Sequence, residues 1–166
     1  MSPEDLAEAL QGRFADVGLA RGEVTVLVEA GAVPETLLWL RQHPDLAFDL
    51  LACVSATDGP GADPRFWLTY EMRSMQHHHR VRVKTGASGT DPRLPSVAPV
   101  FPTADWQERE IYDLYGVVFE GHPNLHRILL PEDWEGHPLR KDEELGGVPT
   151  WYVGARVPPV DQRGMA

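Results

Sequence analysis

A chain of 166 residues is long enough for one domain with a proper core and gives no reason to expect two. Its 25 acidic against 15 basic side chains leave a formal charge of −10, which argues against a generic nucleic-acid binder, whose surface must be cationic to displace counterions from phosphates. The same excess disfavours adsorption to anionic lipid, and the apolar runs fall well short of the ~20 residues that span a bilayer. The single cysteine, Cys53, cannot form an internal disulfide or fill a cluster site that needs four thiolates; its setting in LLACVSA predicts a small buried hydrophobe. The acidic start MSPEDLAEAL lacks the basic and apolar regions of a secretory leader, so the expected compartment is the reducing cytoplasm.

Ser2, Pro3 and the acidic Glu4-Asp5 pair predict a capped helix start, continued by Leu6, Leu10 and Phe14 and closed by Gly22. VTVLVEA (24–30) follows as a strand. GAVPETLLWLRQHP (31–44) is a short helix between Pro34 and Pro44, apolar nearly all round and therefore expected to be well buried. Three strands come next, at 46–56, 65–73 and 79–85, with the DGPGADP turn (58–64) between the first two. RVRVKT alternates, placing Val81 and Val83 in the core and a basic row in water. Too many prolines for a helix fall in GASGTDPRLPSVAPVFP (86–102), which reads as an extended crossover.

DWQEREIYDLYG (105–116) is a helix, with Asp105 and Glu108 spaced as a capping box and Gly116 as its stop. Asp105–Arg109 and Arg109–Asp113 are spaced as intrahelical ion pairs. These elements give the order α-β-α-β-β-β-α; a short strand at 117–119 follows, and residues 120–166 show no regular pattern. That tail is nevertheless too apolar for a solvated, disordered segment (Ile128, Leu129, Leu130, Trp134, Leu139, Trp151, Tyr152, Val153), so it requires a surface to lie on.

The tail writes Glu-Gly-His-Pro twice and places His122, His126 and His137 among Glu120, Asp133 and Glu135. Such a set can hold a metal, which would make the chain a free-standing hydrolase. Pro123 breaks any rigid i, i+4 pairing of the first two histidines, however, and Gly-His-Pro is explained by a tight turn. His77-His78-His79 sits at a strand entry, where alternation sends His77 and His79 to one face; a solvated position is expected. There is no nucleophile elbow, glycine-rich phosphate loop or dinucleotide fingerprint. Arginine, tyrosine and tryptophan interleaved with aliphatics over 108–134 instead match the composition of interface cores.

Residues 108–142, EREIYDLYGVVFEGHPNLHRILLPEDWEGHPLRKD, resemble the signature of the 30-kDa subunit family of respiratory complex I, known in bacteria as the C subunit of NADH–quinone oxidoreductase. The resemblance extends more loosely back to about residue 40 and departs after Asp142, at Glu143-Glu144-Leu145-Gly146. It implies an α+β fold, a two-layer domain with a mixed β-sheet and helices on one face (residues 1–119), followed by an extended docking segment (120–166). It also implies a non-catalytic subunit of the peripheral arm, without a cofactor of its own; FMN and iron–sulfur clusters would sit on partner subunits. The partners would be the large quinone-site subunit and iron–sulfur subunits, on the cytoplasmic side of the plasma membrane. On this resemblance the docking positions are Glu108, Arg109, Glu110, Tyr112, Asp113, Gly116, His122, Pro123, Arg127, Leu129 and Trp134, and then Gly136, His137, Pro138, Leu139, Arg140, Lys141 and Asp142. Membrane-bound hydrogenases and formate-hydrogenlyase-type complexes carry an equivalent subunit and form the rival reading.

Overall fold

The computed structural model describes residues 1–143. Helix α1 (Pro3–Gln11) starts as expected: Ser2 Oγ accepts the Asp5 amide at 3.1 Å while the Asp5 carboxylate accepts the Ser2 amide, a reciprocal capping box. It ends earlier than the sequence suggests, because Gly22 is not its stop. Arg21 and Gly22, at φ 54° and 74°, form the turn between strands β1 (Val17–Ala20) and β2 (Glu23–Leu27), and consecutive positive φ values suit a right-twisted hairpin. Strand β1 is absent from the sequence-based expectation. None of its four residues is buried, so no alternation marks it.

A 3-10 turn (Ala30–Ala32) leads into α2 (Val33–Gln42). Val33, Leu37 and Leu40 are fully enclosed, whereas Leu38 is exposed and Trp39 meets Phe14 edge to face at 5.7 Å. The helix is thus one-sided rather than buried all round.

Strand β3 (Leu50–Asp58) begins four residues later than its apolar run predicts. A turn at 44–46 and an irregular stretch at 47–49 come first; there Ala47 takes φ 43° and the Phe48 amide bonds to the Leu40 carbonyl. With β4 (Phe66–Arg73) and β5 (Arg80–Ala87) it forms an antiparallel meander, and β2 joins β5 in parallel. The resulting order, β1-β2-β5-β4-β3, is a mixed sheet. Phe66, Leu68, Tyr70 and Met72 alternate into one core with Val81 and Val83, and burying each large side chain contributes ~1.5–3 kcal/mol. A bulge between Leu51 and Cys53 breaks the alternation of β3. It turns Cys53 outward, so the thiol is exposed, against expectation.

His77 and His79 do share a face, but His79 is buried and His77 only half-exposed. Their rings stack at 5.6 Å, and their Nε2 atoms reach the carbonyls of Pro44 (3.2 Å) and Leu46 (2.7 Å).

Helix α3 (Ala104–Tyr115) lies along the outer edge of β3. There the Gln107 side chain accepts the Val54 amide, and Thr103 Oγ1 donates to the Leu51 carbonyl at 3.4 Å, closing an edge that could otherwise pair with a further strand. The crossover before α3 is extended only in part: it turns at 98–100, where the Val100 and Phe101 amides bond to the Val97 carbonyl, and it supplies a short strand β6 (Arg93–Pro95). This pairs in parallel with β7 (Val118–Glu120), so Leu94 and Phe119 join the core.

Candidate functional site

Helix α3 and the segment that returns over it, residues 120–143, hold almost all the charged residues singled out in the sequence. Glu108 is not a capping residue. It points inward with no exposed surface, accepting Ser96 Oγ at 2.6 Å and the Val97 amide at 2.7 Å, so it staples the crossover to α3. Burial drives its pKa up to about 7, against the partial relief of those two donors. Thr103, at the N-terminal boundary of α3, makes no side-chain cap.

Asp113 organises the returning segment. Its carboxylate has no exposed surface; Oδ2 accepts the amides of Ile128 (3.0 Å), Leu129 (2.7 Å) and Leu130 (3.0 Å), while Oδ1 takes Arg127 Nη1 at 2.8 Å. Burial alone would raise its pKa, but the amides of Leu130 and Leu129, with Arg127 and the Ile128 amide, outweigh it and hold the carboxyl below its ordinary value. Arg127 also donates to the Gly136 carbonyl at 3.1 Å, closing the loop between the two Glu-Gly-His-Pro turns.

Each end of the segment is held separately. At the near end Arg109 turns to His126, donating to its carbonyl at 3.3 Å and meeting its ring nitrogen, while its guanidinium lies over Trp106. His122 Nε2 donates to the Asp105 carbonyl at 3.1 Å, and Asp105 Oδ1 lies 3.2 Å away without hydrogen-bonding alignment. The intrahelical pairs Asp105–Arg109 and Arg109–Asp113 therefore do not form; Arg109 turns to His126, and Asp113 to Arg127 and the amides of 128–130. At the middle, His137 Nδ1 donates to the Asp113 carbonyl at 2.9 Å, and its ring sits over Gly116, the left-handed end of α3 at φ 74°. A Cβ on Gly116 would meet that ring at 2.6 Å.

The far end uses residues to which the sequence alone assigns no role. Asp58 accepts Arg65 through both oxygens, at 2.7 and 2.8 Å, and the Lys141 amide at 2.7 Å; the Arg65 bond above all keeps its carboxyl below the usual range. Arg65 bridges on to Asp142 at 2.8 Å, and Arg140, paired with Asp142, lies over Phe66 on which Arg65 also rests. Arg65 and Arg140 likewise hold the Asp142 carboxyl well below its ordinary range. A signal for this clamp exists: Asp58 opens the DGPGADP turn and Arg65 follows it, an opposite-charge closure of the hairpin.

The predicted positions thus separate into two groups. Arg127, Arg140, Lys141 and Asp142, expected from sequence to meet a partner, also make hydrogen bonds and ion pairs within this chain. Glu110, Pro123, Leu129, Pro138 and Leu139 remain exposed, while Tyr112, Trp134 and Gly136 are half-buried. The Leu139 amide returns to the Leu114 carbonyl at 3.1 Å. The three histidines of the metal reading do not converge, and among the described residues no group of three or more potential ligands gathers.

A family model described as respiratory-chain NADH dehydrogenase, 30 Kd subunit, matches residues 26–149. The C subunit of the NADH-quinone oxidoreductase of Salinispora tropica is 45% identical over 168 aligned positions, covering 96% of this chain and 69% of that protein. Its counterpart in Mycolicibacterium smegmatis is 44% identical over 144, covering 86% of this chain and 60% of that protein. This chain therefore spans between 60% and 69% of the two relatives. Among solved structures, a trypsin-resistant fragment of Nqo5 superimposes with a TM-score of 0.63 at 28% identity, covering 75% of this chain and all of that one. A chain of an archaeal membrane-bound sulfane sulfur reductase shares the fold, with a TM-score of 0.71 at 24% identity.

Proposed function

The chain belongs to the 30 Kd subunit family of the respiratory-chain NADH dehydrogenase, and we propose that it serves there as a non-catalytic docking subunit of the peripheral arm. The assembly would pass electrons from NADH to quinone and translocate protons. FMN and iron–sulfur clusters would lie on other subunits, and this chain would sit against the large quinone-site subunit and iron–sulfur subunits. It would be held peripherally on the cytoplasmic side; among the described residues no helix is long and apolar enough to cross a membrane. The relatives from NADH-quinone oxidoreductases support this reading over the hydrogenase-type alternative.

One observation carries the proposal. Between residues 121 and 143 the backbone is pinned at many points, yet no residue as a whole is fully buried. Leu129 is 59% exposed and Leu139 42%, and Trp106 on the adjoining helix is 62% exposed. A rigid segment with its polar groups satisfied inward and its apolar side chains turned outward is preorganised to be covered, which lowers the ordering cost of association. Residues 144–166, the remainder of the predicted docking segment, lie outside the described residues.

The test replaces Leu129 and Leu139 together by Gln in the tagged full-length subunit expressed in its native membranes. Both side chains point outward, so the isolated chain keeps its stability within about 0.5 kcal/mol. Recovery of the large quinone-site subunit with the tag falls about tenfold or more, as for loss of central interface anchors. Recovery at the wild-type level by the double variant overturns the docking role of this face.

A further inference from the structure

The histidine run unused by the docking reading lies beside a cavity of about 530 Å³ at the turn end of the β4–β5 hairpin. Arg73, Arg80, His78 and His79 line it, and no carboxylate does among its described lining residues. In a chain of net charge −10 such a wall is against the prevailing composition. The register sharpens the point. Arg73 stands directly opposite Arg80 across the two strands, a like-charge pairing that disfavours the sheet, whereas Glu71 and Arg82 in the same ladder are matched as opposites. Arg80 is partly answered by Glu23 at 3.2 Å, but Arg73 is exposed and makes no ion pair among the described residues.

His79 adds an independent sign. The residue is 7% exposed, its Nε2 is engaged by the Leu46 carbonyl, and its Nδ1 is enclosed without any partner. With Nε2–H donating to that carbonyl, the neutral ring leaves Nδ1 as an acceptor awaiting a proton donor. His78 next to it holds a left-handed backbone at φ 54°. Leu6 and the exposed Met75 give the same cavity an apolar side.

We propose that this cavity binds a phosphate monoester carrying an apolar body. The phosphate answers the unmatched Arg73–Arg80 pair with His78, its acidic hydroxyl supplies the donor that His79 Nδ1 lacks, and the apolar body lies on Leu6 and Met75. A phosphate monoester meets both requirements because it is anionic and still holds a titrating proton near neutrality.

The experiment follows the histidine ring resonances of the full chain, below the micellar concentration of each ligand. Octyl phosphate shifts the His78 and His79 rings saturably, inorganic phosphate binds more weakly, and octyl glucoside leaves them in place. Arg73→Gln, a change at an exposed side chain, weakens octyl phosphate about tenfold, as expected for loss of one charge-assisted contact. Sedimentation with phosphatidylcholine vesicles, with and without phosphatidic acid, then separates the two sources. Binding only to the acidic vesicles identifies a lipid head group, and octyl phosphate binding without vesicle binding identifies a soluble ester. Unmoved histidine rings, equal binding of octyl glucoside, or undiminished binding by Arg73→Gln overturns the proposal.

Discussion

A carboxyl group with no exposed surface, held by one hydroxyl and one amide, gives Glu108 a measurable signature. Burial raises its pKa from 4.5 to about 7. Across that window the folded chain keeps a proton that the unfolded chain has released, so this group makes the fold less stable as pH rises, and the effect levels off above it. The full difference is on the order of 3 kcal/mol. Glu108→Gln removes the titration and retains an acceptor for the Val97 amide. Urea unfolding at pH 5 and pH 8 is expected to show the wild type losing stability relative to the variant as pH rises; parallel behaviour of the two proteins would refute a buried titrating Glu108. In sequence Glu108 looks like part of a helix start because its spacing from Asp105 fits a capping box. The competing signal is that Ala104, Glu108 and Ile111 share one helical face, and that face is buried. Asp113 resembles half of a surface ion pair for a similar reason: its charge is visible in one dimension, and the three amides that converge on it belong to a segment fifteen or more residues away.

At the scale of elements, the end of α3 joins helix geometry to the returning segment. Gly116 and Gly121 both have positive φ, 74° and 79°, but only the first faces a neighbour, the His137 ring at 2.6 Å from an added Cβ; the second has open space. Gly121→Ala should therefore cost only backbone strain, about 1 kcal/mol, and Gly116→Ala about 2–3 kcal/mol, with loss of the His137 bond to the Asp113 carbonyl. Equal costs in a denaturant titration would show that the ring is not seated there. The long alternating strands β4 and β5 and the glycine stop of α3 are legible in the sequence because the period and the turn chemistry agree. Strand β1 is not, since its residues stay part-exposed, and β6 is hidden among prolines. A single inserted residue is enough to misplace Cys53, because one bulge exchanges the inner and outer rows of everything on its far side.

Over the whole molecule, charge and apolar burial divide the structure into two kinds of adhesion. The core from Leu6 to Phe119 is held by apolar contact, whereas the segment from His126 to Asp142 is tied through Asp113, Asp58 and Asp142, all three with depressed pKa values. Stability from a depressed carboxyl is present above its ordinary value of 3.8 and is lost as pH falls through the lower folded value. Acid should therefore loosen 126–142 first. Hydrogen exchange on stepping down from pH 4 is expected to accelerate at the amides of 128–130 while those of β4 stay protected; simultaneous release would contradict the division. That the tail needs a surface follows from composition alone. That one side of the segment is already satisfied by α3 does not, since it depends on a chain reversal no local pattern encodes. The parallel pairing of β2 with β5 has a consequence for biosynthesis. Thr25 must wait for Arg82 to leave the ribosome before the amino-terminal hairpin has anything to join, whereas β3, β4 and β5 pair with immediate neighbours. The first strands of the polypeptide to be made thus wait longest for the rest of their sheet, and a nascent chain stalled before residue 80 would leave an unjoined ribbon open to chaperones.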